Sequence, residues 1–182
     1  MKRRTIAIST IGVKVLYCAS VDGTRPTSGY KMIPCIVSAP AFDNVPEQID
    51  NSDLGDTVTQ YLPGRRDSGG DAVFTANLTI DFLDAWSELI ETAITAKANG
   101  QKVWFEYRTP KFERSFFWSG EPVPLGHGGF EQNTCQRIKA HVVPNGGQEW
   151  GASADDEETL FVYIGSNGLC YQGTDGKVYC SK

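Results

Sequence analysis

The chain is poor in the residues that most catalytic and metal chemistry needs, with two histidines, two methionines and five cysteines in 182 residues. None of Cys18, Cys35, Cys135, Cys170 and Cys180 forms a CxxC pair. Their odd number and wide spacing do not make a disulfide framework. His127 and His141 stand apart from any Cys or Glu at ligand spacing, so no metal site is expected. Positive charge is also short: 17 Lys and Arg face 22 Asp and Glu, for a net charge of −5. Proteins that grip nucleic acid neutralise phosphates with clustered basic residues, and such clusters are missing, so any contact with DNA is expected to be non-adhesive. P-loop, dinucleotide-binding and nucleophile-elbow motifs are absent from the sequence. Gly126-His127-Gly128-Gly129 has the composition of an oxyanion loop, but without a nucleophile elbow it reads as a flexible turn between strands. The apolar runs are short as well. Thr5-Ile6-Ala7-Ile8 follows a basic start, yet Ser9, Thr10 and Lys14 interrupt it before it reaches the length of a signal core or a membrane span. The expectation is a chain made and folded in the cytoplasm, with no membrane span, no cofactor and no enzymatic activity.

What the chain does have is turn formers and aromatics: 19 glycines, 9 prolines, 9 Phe, 7 Tyr and 4 Trp, with 40% hydrophobic content. That composition favours short strands joined by turns around a real core. Phe74, Ala76, Leu78 and Ile80 alternate with Thr75, Asn77 and Thr79. Val103, Phe105 and Tyr107 repeat the pattern, as do Ile138, Ala140 and Val142 against Arg137, Lys139 and His141. Period-two alternation predicts antiparallel strands with one face on a core and the other on water or a neighbour. Further strands are expected at 13–21, 31–37, 58–62, 115–119 and 160–164.

One helix is expected over 82–98, with Asp81 as N-cap, Lys97 in the last turn and Gly100 as the stop. Phe82, Trp86, Leu89, Ile90, Ala93 and Ile94 recur at three- and four-residue spacing. They form a stripe that must lie on a sheet; Phe82, Trp86, Leu89, Ile90 and Ile94 are the expected helix–sheet core. Between 40 and 70 the character changes to an acidic excursion with few apolar residues, expected to be a long extended loop. Beyond Trp150, the run Asp155-Asp156-Glu157-Glu158 precedes a terminal hairpin. A three-residue turn at Thr174-Asp175-Gly176 pairs Cys170 with Cys180 and Tyr171 with Tyr179, whereas a two-residue Asp-Gly turn separates both pairs. The chain is thus read as a domain over 1–150 and a C-terminal extension over 151–182.

A run of short pieces resembles the signature region of the major tail tube proteins of long-tailed, non-contractile bacteriophages (siphophages). They are Ile33-Pro34, Ser38-Ala39-Pro40, Pro46-Glu47-Gln48-Ile49-Asp50, Asp53-Leu54-Gly55-Asp56-Thr57-Val58, Tyr61-Leu62-Pro63-Gly64 and Asp67-Ser68-Gly69-Gly70. The resemblance continues through Phe74-Thr75-Ala76-Asn77-Leu78, the helix, Gly100-Gln101-Lys102-Val103-Trp104-Phe105-Glu106, Phe117-Trp118-Ser119-Gly120 and the strand near 134–143. It spans about residues 10–145 and leaves 151–182 without a counterpart. It implies an antiparallel β-sandwich or partial barrel with one packed helix, in hexameric rings stacked into the tube through which DNA is ejected. Implied partners are further copies of the chain, the tape measure, tail terminator and distal tail proteins, and genomic DNA that passes without specific binding. The implied location is the tail of a virion. On this reading Asp43, Glu47, Asp50, Asp53, Asp56, Tyr61, Arg65, Arg66 and Asp67 belong to a segment that orders at the contact between rings. Alternatives are the tube subunit of a bacterial contractile injection system, a secreted or surface β-sandwich binding module that uses its aromatics as a platform, and a small hydrolase using His127.

Overall fold

The computed structural model describes residues 10–43, 46–55, 57–66, 70–110, 112–129, 132–154, 170–172 and 178–180, with the side chains of 65–66, 170–172 and 178–180 outside the description. The strand expected at 160–164, the acid run at 155–158 and the turn at 174–176 also lie outside the described residues. Strands β1 (Lys14–Ala19), β2 (Lys31–Met32), β3 (Ile36–Ser38), β6 (Ala72–Asn77), β7 (Val103–Arg108), β8 (Arg114–Pro122) and β9 (Arg137–Ala152) form one seven-stranded sheet. Its order is β2-β1-β7-β8-β9-β6-β3, and every pairing is antiparallel. Strands β4 (Pro46–Asp50) and β5 (Tyr61–Arg66) form a separate two-stranded sheet, and β10 (Cys170–Gln172) with β11 (Val178–Cys180) a third. In the last, Cys170 lies opposite Cys180 and Tyr171 opposite Tyr179, the register of the three-residue turn.

The connection between β2 and β3 explains the curvature. These strands are the two edges of the sheet, yet only Ile33, Pro34 and Cys35 separate them in sequence. Four Cα steps reach at most about 14 Å, while seven strands laid flat would hold their edges about 29 Å apart. The sheet therefore curls into a half-barrel. Cys35 makes the tight link with a left-handed φ of 61°, and its carbonyl accepts from the Asn77 amide at 3.0 Å.

Helix α1 (Ile80–Ala98) fills the concave side. Phe82, Trp86, Leu89, Ala93 and Ala96 are buried there against Val15, Tyr17, Phe74, Val103, Phe105, Trp118 and Ala140. Trp86 is 1% exposed and its indole Nε1 donates to the Val123 carbonyl at 3.1 Å. Two details differ from the sequence reading. The N-cap is Thr79, not Asp81: its backbone is still extended and its hydroxyl accepts from the Phe82 amide at 3.2 Å. The strand before it ends at Asn77, with the Leu78 amide still donating to the Gln136 carbonyl in continuation of the β6–β9 register, and the helix starts two residues early, so that Asp81 falls in its first turn. Ile94 is also corrected, being 66% exposed. At about 100° per residue it lies roughly 120° round from the centre of the buried stripe, where Ala96 sits instead. Ile90 lies at the stripe's margin and is partly buried against the core.

The middle strands depart further from expectation. Alternation predicts one covered face, yet Leu16, Trp104, Glu106, Ser115, Phe117 and Ser119, which point away from α1, are buried too. The segment 20–30 and the end of β9 fold over them. Arg25 lies 4.1 Å above the Phe117 ring and pairs with Glu149 at 2.7 Å, and Tyr30 meets Phe117 edge-on. Glu106, fully buried, receives both ends of the Arg108 guanidinium at 2.9 Å, and Arg108 also donates to the Ala154 carbonyl at 2.8 Å. Ser115 and Ser153 hydroxyls meet at 2.8 Å. At Gly147, with a φ of 71°, a Cβ would stand 2.7 Å from the Trp104 ring, so this approach depends on glycine.

Candidate assembly surface

The excursion expected as an extended loop at 40–70 carries its own hairpin. Asp50 lies opposite Tyr61, Ile49 opposite Leu62 and Gln48 opposite Pro63, with a bulge toward Pro46 and Arg66. Pro63 is accommodated because each strand of a two-stranded ribbon has a free edge, where a missing N–H costs little. The strand expected at 58–62 thus moves to Tyr61–Arg66, and Pro63-Gly64 lies in it instead of forming a turn. Across the tip the Asn51 amide donates to the Gln60 carbonyl at 2.9 Å and the Gln60 amide to the Ser52 hydroxyl at 2.9 Å. Hydrogen bonds from the Ser52 side chain and then its amide hold the Asp50 carboxyl below its ordinary range, so it stays an anion.

This arm is anchored at its two ends. Before it, the Phe42 ring packs 4.7 Å from Trp118 and 5.6 Å from Phe116. After it, Ala72 enters β6 and the core. Between these anchors no described residue is buried. Ile49, Leu54, Val58, Tyr61 and Leu62 are all more than half exposed. Glu47 and Asp50 lie in β4, Tyr61, Arg65 and Arg66 in β5, Asp53 in the tip and Asp43 at the root; Asp56 and Asp67 lie outside the described residues. Asp43, Glu47, Asp50 and Asp53 are exposed. An isolated two-stranded hairpin is marginal in water, and among the described residues the strands of this one pair with none of the seven sheet strands.

Sequence reasoning missed two other surfaces. Trp150, near the end of β9, is 68% exposed with its ring 5.4 Å from Phe116. It borders a cleft of about 330 Å³ that runs along Phe42, Tyr107 and Phe116 to Val13, and a second of about 540 Å³ shared with Phe112. The available signal was a Trp in a glycine-rich, polar stretch where the buried alternation of β9 has already ended at Val142. The second surface is a cleft of about 560 Å³ between β9 and the 126–129 loop, lined by Arg137, Lys139, His141, His127 and Thr75. His141 Nδ1 meets the Asp71 carboxylate and His127 Nδ1 lies 2.7 Å from the Gly128 carbonyl. Among the described residues Thr75 is the one hydroxyl in that lining, which holds neither serine nor cysteine. Among the described residues no group of three His, Cys, Asp or Glu could hold a metal ion, and no helix is long and apolar enough to cross a membrane.

The architecture is a curled antiparallel half-barrel with one helix packed inside it and a hairpin projecting from it. Solved structures are similar to this chain in overall fold. One is titled as the tail of an empty GTA particle with C6 symmetry; it is 14% identical, with a TM-score of 0.52, covering 80% of this chain and 100% of that one. Another belongs to the six-fold symmetrised baseplate of the anti-feeding prophage, 9% identical, with a TM-score of 0.52, covering 84% of this chain and 98% of that one. Neither a protein-family model nor a curated protein sequence matches the chain.

Proposed function

We propose that the chain is a structural subunit of a phage-type tail, forming hexameric rings that stack into the tube through which DNA leaves. The observation that carries this reading is the arm at 46–66, which exposes apolar side chains and, among the described residues, buries none within its own subunit. Such a segment gains cover only from a partner, and symmetric self-assembly supplies one at every copy. The C6 and six-fold symmetry of the tail and baseplate that share the fold supports the same reading. The arm's carboxylates suit a conduit as well, since fixed negative charge beside a bore repels phosphates and keeps DNA off the wall. The tape measure, terminator and distal tail proteins are the partners at the tube's ends, and the virion tail is the final location. The anti-feeding prophage likeness favours a second reading, the inner tube of a contractile injection system.

Negative-stain microscopy of the purified full chain tests the proposal. Rings about six subunits round, or tubes built from them, are the expected result; a monodisperse monomer at every concentration rejects it in favour of a binding module. Co-expression with a sheath protein separates the two tube readings.

A further inference from the structure

Both histidines of the chain line one cleft, together with Arg137 and Lys139. Arg137, Lys139 and His141 alternate along β9, opposite Asn77, Thr75 and Val73 of β6, and so project from one face of the sheet. Gly126, Gly128 and Gly129 form the facing wall. A Cβ at Gly128 would stand 2.9 Å from the Arg137 carbonyl, so the wall lies close against the strand. Among the described residues no carboxylate lines the cleft; Asp71 stands at its end, on His141. Arg137, Lys139 and His127 are exposed. This is a concentration of basic side chains on a protein of net charge −5. The arm is its opposite, with Asp43, Glu47, Asp50, Asp53, Asp56 and Asp67 against Arg65 and Arg66.

We propose that the basic cleft of β9 and the 126–129 loop receives the acidic arm of a second copy of this chain. The inference rests on the self-assembly read above and names the surface that the arm meets. Complementary charge fixes which face of a neighbour the arm chooses, and the exposed Ile49, Tyr61 and Leu62 add apolar cover once it is seated. A cleft fitted to the phosphates of DNA has the same chemistry, so the experiment must tell the two occupants apart.

The test is a charge swap in the full chain. Arg137→Glu with Lys139→Glu should raise the concentration needed for polymerisation by about tenfold or more, the combined effect expected of a few exposed ion pairs, with an unchanged thermal midpoint. Asp43→Lys with Glu47→Lys should do the same. All four substitutions together should restore assembly, and raising the salt should weaken the wild type and the four-fold variant alike. Unchanged polymerisation of the cleft variant overturns the proposal, as does loss that the four-fold swap fails to rescue. Wild-type binding of double-stranded DNA that disappears in the cleft variant while assembly persists assigns the cleft to phosphates and also overturns it. If the wild type makes no rings or tubes, the tube reading falls by itself. The same four proteins are then compared by sedimentation: salt-sensitive association lost and regained in this pattern upholds the docking, and a monomer at all concentrations overturns it.

Discussion

The half-barrel and the arm obey opposite rules although they are continuous in the chain. In the body, β7 and β8 are buried on both faces, and rings stack as closely as 4.5 Å between Phe105 and Trp118. In the arm, two strands keep their ladder but bury none of their described side chains. Hydrogen-bonded backbone alone does not distinguish a folded part from a part waiting for a partner; side-chain cover does. Stability should therefore reside in the body and assembly in the arm.

The largest effect should come from the body. Trp86→Ala removes a buried indole and orphans the Val123 carbonyl, and should cost about 3–5 kcal/mol in chemical denaturation. A loss under about 1 kcal/mol would place Trp86 outside the cooperative core. Next is Glu106→Ala, which takes the carboxylate partner from the Arg108 guanidinium inside the second face, for about 3 kcal/mol or more. The polar isostere Glu106→Gln should lose less. Gly147→Ala should cost about 1–3 kcal/mol through its φ of 71° and the collision with Trp104. In contrast, Tyr61→Ser and Leu62→Ser should change subunit stability by less than about 0.5 kcal/mol, as exposed positions do, while tube formation followed by light scattering fails. A stability loss comparable to that of Trp86→Ala would erase the distinction between body and arm.

The smallest effect concerns pH. The Asp50 carboxyl is held below its ordinary range by Ser52, so the stabilisation of the arm's turn is fully present above the ordinary carboxylate pKa and is lost as pH falls through the depressed one. Asp50→Asn should abolish this acid-side dependence in tip amide protection and leave the tip less protected at neutral pH, near the level the wild type keeps in acid.

Much of the body was legible because local pattern and tertiary packing agree there. The alternations at 74–76, 103–107 and 138–142 and the helical stripe report faces that a single core covers. Legibility ended where distant segments decide burial. Trp104, Glu106 and Phe117 look like an outer face until Arg25, Tyr30 and Ala154 arrive from far along the chain. The same limit affects the C-terminal boundary: β9 runs past Trp150 to Ala152, and Ala154 is 6% exposed against Trp104 and Phe117. Truncation after Ala154 should therefore keep the fold, whereas truncation after Trp150 removes the Arg108 and Ser115 contacts and should lower the thermal midpoint. In the arm, composition revealed acidity and exposure but not the hairpin, whose register depends on backbone pairing across a bulge at Pro46 and Gln48. The basic cleft was hidden for a similar reason, because Arg137, Lys139 and His141 read as one solvated strand face until the loop carrying His127 closes against it.

The central claim, that residues 46–66 form an arm completed by neighbouring copies, is tested most directly by amide hydrogen exchange on the isolated subunit and on the assembled protein. The account predicts fast exchange across 46–66 in the subunit beside protected amides in β7 and β8, with the arm's exchange slowed strongly upon assembly. Equal exchange of 46–66 in both states would contradict it.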